Sequence, residues 1–196
     1  MIKVNLAFKN FGKTAVLRDI QLEVSAGETV AIVGRSGIGK STLLKLIAGT
    51  DTHFTGTISC SESKAIVFQE PTLLPWRTAL QNITLIHETL SILEARDALA
   101  RVGIAGKDDM FPGQLSLGQQ RRLSLARAFA GRPEVLIMDE PFVSLDSETA
   151  NEMVSLTEIL IRDTRPATIF VTHSEDEAHR LGDRVLTMCG SPATLL

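Results

Sequence analysis

Gly34-Arg35-Ser36-Gly37-Ile38-Gly39-Lys40-Ser41 decides how this chain is read. The apolar run Val30-Ala31-Ile32-Val33 precedes it, and Thr42-Leu43-Leu44-Lys45-Leu46-Ile47 follows. Strand, glycine loop and helix form the context in which such a stretch is a phosphate site. The glycines let backbone N–H groups turn inward on an anion, and the helix adds the positive end of its dipole. Lys40 can reach the β- and γ-phosphates, and Ser41 can ligate Mg²⁺ beside them. Taken alone, the loop specifies a nucleotide and leaves its use open.

Outward from the loop, strands are expected over residues 3–8 and 20–25, a turn at Ala26-Gly27-Glu28, and a buried strand over 29–33. Helix is expected over 41–48 and ends at Gly49. A short β element near Thr57 and Ile58 and a strand over 64–68 follow. The middle of the chain changes character. Ile92, Ala95, Leu99 and Val102 fall on one helical face over 91–102, which Gly103 stops. Ser116, with Gln119 three residues on, has the spacing of a capping box, and Leu123, Leu125, Ala126 and Phe129 supply apolar surface behind it. Residues 77–130 therefore read as a mainly helical lobe. Val135-Leu136-Ile137-Met138 suits a parallel strand buried on both faces. A helix capped by Asp146 or Ser147, a strand over 167–171, a short helix over 174–181 and a strand over 184–188 complete the pattern. This alternation predicts one α/β domain over 1–196 with a mostly parallel sheet, a small antiparallel β edge and an inserted helical lobe.

Composition bounds what the domain does. The 196 residues are 44% hydrophobic, enough for a sizeable core. Lys plus Arg total 20 against 23 Asp plus Glu, a net charge of -3, which argues against a nucleic-acid partner. Cys60 and Cys189 have neither metal-site nor disulfide-framework spacing. The start lacks the apolar run of a secretory signal, and no stretch approaches the roughly 20 apolar residues of a spanning helix. Service to a membrane would require docking to another protein.

The chemistry concentrates at predicted strand ends. Asp139-Glu140 closes the 135–138 run, where open α/β sheets place ligands. Asp139 can hold Mg²⁺ directly or through water, and Glu140 can align an attacking water and accept its proton. Gln69 follows the 64–68 strand and can contact metal and water without adding charge. His173 follows the 167–171 strand; it either donates to the γ-phosphate or holds Glu140 and the water in line.

In order and spacing these elements resemble the ATP-binding subunits of ABC transporters over nearly the whole chain. Gly34 to Ser41 resembles the Walker A motif, and Leu136 to Asp139 the Walker B motif with Glu140 as its catalytic carboxylate. Gln69 matches the Q-loop and His173 the switch histidine. Leu115-Ser116-Leu117-Gly118-Gln119 resembles the family signature, which ordinary P-loop proteins lack. The resemblance implies ATP and Mg²⁺ as ligands. It assigns Phe11 to stacking on adenine, and Gly34, Arg35, Ser36, Gly37, Ile38, Gly39, Lys40, Ser41 and Thr42 to the phosphates. Ser41, Gln69 and Asp139 fall to the metal, and Lys40, Gln69, Glu140 and His173 to catalysis. It also implies a head-to-tail dimer in which Ser116, Gly118 and Gln119 of one copy cover ATP held by the other. Asp146, in Ser144-Leu145-Asp146, would line the interface.

Leu117 stands where the family usually has glycine, and either crowds that interface or points away from it. Gln119-Gln120-Arg121-Arg122 alters the usual order of glutamine and arginine, and Phe11 replaces the commoner tyrosine. Pro71-Thr72-Leu73-Leu74-Pro75-Trp76 resembles the segment of importer ATPases for nitrate, sulfonate, taurine or thiamine that lies near the transmembrane subunit. Packing of Leu73, Leu74 and Trp76 within the helical lobe is the other reading. The resemblance thus implies a transmembrane permease, a solute-binding protein and a site on the inner face of the cell membrane. The short C-terminus leads us to expect dimerisation that depends on ATP and the permease. An exporter subunit, a soluble non-transport ATPase and a non-catalytic nucleotide-dependent module are the alternatives; intact Lys40, Asp139, Glu140 and His173 argue against the last.

Overall fold

The computed structural model describes residues 1–196. Nine strands form one sheet in the order β4-β1-β2-β9-β8-β3-β7-β6-β5. They are β1 (Ile2–Phe11), β2 (Thr14–Val24), β3 (Thr29–Val33), β4 (Thr55–Cys60), β5 (Lys64–Val67), β6 (Val135–Asp139), β7 (Ala167–Thr172), β8 (Arg184–Gly190) and β9 (Ala193–Leu195). The helices are α1 (Lys40–Ala48), α2 (Ala79–Thr84), α3 (Ile92–Arg101), α4 (Leu117–Ala130), α5 (Ser147–Thr164) and α6 (Glu175–Leu181). The chain divides into a sheet unit (Met1–Ile66, Glu134–Glu140 and Arg165–Leu196) and a helical unit (Val67–Pro133 and Pro141–Thr164).

In the sheet unit, β3 pairs in parallel with β7 and β8, and β6 with β7. All six residues of β7 are buried, as are four of the five in each of β3 and β6. Strands covered on both faces are apolar throughout, which is why these runs read so clearly in sequence. β1 pairs antiparallel with β2 and β4. Both β1 and β2 extend well beyond the six-residue runs expected from periodicity. Ile2, Val4 and Leu6 alternate inward, each contributing about 1.5–3 kcal/mol on burial. The alternation then slips: the β1–β4 register shifts between Leu6 and Phe8, so that Phe8 faces solvent and Lys9 faces inward. Lys9 is only 2% exposed and is satisfied there by Asp51 at 2.6 Å and the His53 carbonyl at 2.7 Å.

α1 buries Leu43, Leu44, Leu46 and Ile47. It ends at Gly49, whose left-handed backbone (φ 78°) turns its N–H onto the carbonyls of Leu46 and Lys45. β9 has no counterpart in the sequence reading. It has only three residues, held antiparallel to β8 and by a single parallel register pair, Leu17 with Ala193, to β2.

In the helical unit, α4 begins at the expected capping box: Ser116 Oγ accepts from the Gln119 N–H at 3.3 Å, and the Gln119 side chain accepts from the Ser116 N–H at 3.1 Å. α3 is capped the same way by Ser91 and Glu94. It buries Ala95 and Leu99, but Ile92, the first residue after the Ser91 cap, is exposed, contrary to the single face read from periodicity. α2 is short and was not expected. Thr78 and Gln81 cap it, and the fully buried Asn82 bonds the Leu74 N–H and the carbonyls of Leu74, Arg77 and Thr78. That side chain pins the 74–78 loop. Trp76, on the same loop, is 67% exposed, while Leu73 and Leu74 are half-buried.

Candidate active site

β3 runs straight into the glycine loop, and α1 leaves it. Gly39 has φ 120°, and a Cβ there would stand 2.8 Å from Leu17 Cδ2. A Cβ on Gly34 would stand 2.7 Å from the Met188 carbonyl oxygen. Glycine is required at both positions, by strain or by close approach. α1 has no side chain capping its N-terminus and no acid in its first turn. That end therefore keeps its dipole and its backbone donors for an outside anion.

Lys40 opens α1 and is 4% exposed. Its Nζ donates to the Gly34 carbonyl at 2.8 Å and the Arg35 carbonyl at 3.3 Å, and lies 3.4 Å from Glu140 Oε1. A buried ammonium folded over its own loop is matched to a phosphate chain entering that loop. Ser41, the next residue, donates from Oγ to Asp139 Oδ1 at 2.9 Å. A hydroxyl beside a carboxylate is a hard-oxygen pair suited to Mg²⁺ bound to phosphate. Burial pushes the Asp139 carboxyl above the usual carboxylate range; the Ser41 hydrogen bond opposes this shift and the neighbouring Glu140 charge adds to it.

Glu140 has φ 46°, in the left-handed region that non-glycine residues seldom occupy. Its N–H donates to the Val171 carbonyl at 3.0 Å, which ties the strained residue to β7. Its second carboxylate oxygen lies 3.5 Å from His173 Nδ1. His173 itself is held by a local turn. Thr172 Oγ1 donates to Glu177 and accepts from the Ser174 N–H, and Ser174 Oγ accepts from the Glu177 N–H. The sheet unit thus draws together Lys40, Ser41, Asp139, Glu140 and His173 from the ends of β3, β6 and β7 and the start of α1.

Phe11 lies at the end of β1 and is 55% exposed, with Lys9 Nζ 4.7 Å from its ring centroid. The ammonium fixes one face of the ring, so the other face is the one left for a planar base. Lys9 carries no sequence signal, because a lysine in a strand ordinarily reads as solvent-facing. Arg35, Ser36 and Gly37 are exposed on the loop, Ile38 is half-buried against the core, and Thr42 is half-buried in α1.

The remaining candidates lie in the helical unit. Ser116 is exposed at the start of α4, with Gly118 and Gln119 half-buried in its first turn. Leu117 is 50% exposed and stands off the helix surface. Asp146 accepts from the Thr149 N–H at 2.9 Å at the head of α5, and that bond holds its carboxyl below the usual range. Gln69 is exposed on the loop after β5.

Residues 17–143 match the family model described as ABC transporter. The aliphatic sulfonates import ATP-binding protein SsuB 2 of Rhizobium johnstonii is 45% identical over 183 residues, covering 92% of this chain and 74% of that protein. The protein named aliphatic sulfonates import ATP-binding protein SsuB in Granulibacter bethesdensis is 41% identical over 189 residues, or 96% of this chain and 79% of its own. Among solved structures, the dimeric structure of MJ0796, a bacterial ABC transporter cassette, superposes with a TM-score of 0.80 at 29% identity, covering 95% of this chain and 94% of that one. A post-hydrolysis dimer of the same cassette bound to ADP and Pi gives a TM-score of 0.81 at 28% identity, covering 100% and 96%.

Proposed function

The chain belongs to the ABC transporter family as an ATP-binding and hydrolysing subunit with the P-loop NTPase fold, and from that premise we propose that it turns over MgATP to drive import of a small solute through a separate permease. The observation that carries the mechanism is Glu140, set between Lys40 at 3.4 Å and His173 at 3.5 Å. Lys40 moves from its own loop carbonyls onto the β- and γ-phosphates, which replace them as acceptors. Ser41 and Asp139 would hold Mg²⁺, which would supply charge neutralisation at the phosphate oxygens. Glu140 accepts the proton of the attacking water, and His173 keeps that carboxylate and the γ-phosphate in line. In-line displacement yields ADP and phosphate. Phe11 stacks on adenine with the ring face away from Lys9.

A head-to-tail pair completes the site: Ser116, Gly118 and Gln119 at one copy's helix start cover the γ-phosphate held by the other, and Asp146 lines the join. The dimeric cassettes MJ0796 support this reading. No helix of the chain is long and apolar enough to cross a membrane. A permease, together with a solute-binding protein, would therefore supply the path and hold the chain at the inner membrane face. Trp76 and its half-buried leucine neighbours would meet the permease. The names of the sulfonate-import relatives support import and an aliphatic sulfonate as solute.

Glu140→Gln tests the mechanism. Steady-state hydrolysis should fall about 100- to 10,000-fold, the range of a lost general base. ATP binding should persist, and gel filtration with ATP should reveal an accumulated dimer. Hydrolysis at the unmutated rate would remove Glu140 from the base role.

A further inference from the structure

Arg121 lies inside α4, and its side chain is 7% exposed. One terminal nitrogen donates to the Pro141 carbonyl at 2.7 Å and the other to the Val143 carbonyl at 2.8 Å. Its Nε has no partner. The hydrogen bonds of this buried guanidinium therefore all go to one short stretch of backbone. Pro141, Phe142, Arg121 and Ser124 line a cavity of about 10 Å³, room for one water at most.

That stretch is strained at both ends. Glu140, bonded to Pro141, has φ 46°, and Ser144, bonded to Val143, has φ 62°. Left-handed backbone at such residues persists only when its surroundings over-determine it. A planar fork that grips two carbonyls at fixed spacing is a means of doing so, and a lysine or a neutral side chain has no equivalent geometry. Beyond Ser144 the chain reaches Asp146, fixed by the Thr149 N–H. The helix that carries Arg121 begins at Ser116.

We infer that Arg121 is a positioning residue for hydrolysis: it clamps residues 141–143 and so sets the angle at which Glu140 is presented. The clamp also ties the helix that begins at Ser116 to residues 141–143. Arg121 touches neither nucleotide nor water in this account and acts through backbone carbonyls alone. The inference rests on Glu140 being the base.

The test is steady-state hydrolysis by the full chain carrying Arg121→Met, Arg121→Lys or Arg121→Gln, with melting temperature and ATP affinity measured on each. Arg121→Met should lower kcat about 10- to 100-fold, as expected for a catalytic group displaced by an ångström. KM for MgATP and ATP affinity should change less than twofold. Arg121→Gln, which can serve one carbonyl, should fall between Met and the unmutated chain. Three results would overturn the inference: an unchanged kcat in a folded Met variant, a KM that rises in step with the loss, or failure of all three variants to fold, which would make Arg121 a structural strut. Failure of the underlying reading would look different: Glu140→Gln would then hydrolyse ATP as fast as the unmutated chain, whatever Arg121 does.

Discussion

The phosphate-loop cluster and the start of α4 are built on opposite plans. In the cluster, the key side chains meet partners distant in sequence. Ser41 meets Asp139 across 98 positions, and Lys40 and His173 converge on Glu140 from either side along the chain. At the start of α4, the Ser116 hydroxyl and N–H bond only Gln119, three residues away. The cluster exists only when the sheet is complete. The helix start is organised by its own turn and leaves Ser116 and Leu117 exposed. A group so prepared and so little engaged within its own chain fits recognition of something outside it, which is the part the shared-site reading assigns to Ser116.

The largest expected effect breaks the first plan. Lys40→Met removes a buried ammonium around which Gly34, Arg35 and Glu140 are arranged. ATP affinity should fall about 100-fold, equivalent to about 2.7 kcal/mol, and turnover should drop to background; calorimetric titration with ATP reads the first and phosphate release the second. If affinity is kept while turnover is lost, Lys40 acts on the transition state alone, and the cluster does not bind as a unit. Gly39→Ala attacks the same plan from the backbone. At φ 120°, with Leu17 Cδ2 at 2.8 Å, the new methyl meets both strain and a clash. It should cost about 2–3 kcal/mol in denaturant unfolding. Gly37→Ala has φ 75° but nothing within 4 Å of its Cβ, and should cost only about 1 kcal/mol.

The same contrast explains what could be read from sequence. The loop, the Val135–Asp139 strand and the Ser116 cap were legible because each is dictated locally: by glycine geometry, by double-sided burial or by a three-residue spacing. Asp139, Glu140 and His173 were legible as strand-end residues because strand ends are where a parallel sheet gathers ligands. Their mutual distances were not, since those depend on β3, β6 and β7 being neighbours. Lys9 escaped notice because its burial depends on a register slip opposite β4. β9 escaped because three residues carry no period, and it forms only where β2 and β8 already flank it. α2 escaped because six residues are too few for a helical stripe; its two caps and the buried Asn82 define it instead. Arg121 reads in sequence as one more surface charge on a helix, and only the carbonyls of Pro141 and Val143 reveal otherwise.

Ser116→Ala sharpens the second plan. Loss of the cap should cost about 1 kcal/mol of stability. Made in the Glu140→Gln chain, it should abolish ATP-dependent dimerisation in gel filtration while ATP binding by the single chain stays within about twofold, because no part of Ser116's hydrogen bonding reaches the phosphate loop. Loss of binding together with loss of the dimer would mean that the two regions form one site within a single copy, and the comparison would fail.

Glu28 stands between the two plans and should give the smallest effect. It accepts a local bond from the Ser25 N–H at 2.8 Å and a distant one from Arg184 at 2.6 Å. The Ser25 bond is the largest cause holding its carboxyl below the usual range, with burial opposing and Arg184 adding to it. A carboxylate depressed in the folded state binds fewer protons there than in the unfolded chain. Its contribution is therefore complete above the ordinary glutamate value and is lost as pH falls through the lower folded one. Glu28→Gln should accordingly destabilise the chain by about 1 kcal/mol or less at neutral pH. The difference from the unmutated chain should shrink as unfolding is measured at progressively more acid pH. Raising salt at neutral pH separates the two contributions: the exposed Arg184 pairing is screened, and the Ser25 bond is not. If salt removes the whole difference, the distant contact carries Glu28; if it leaves most of it, the local turn does, as at Ser116.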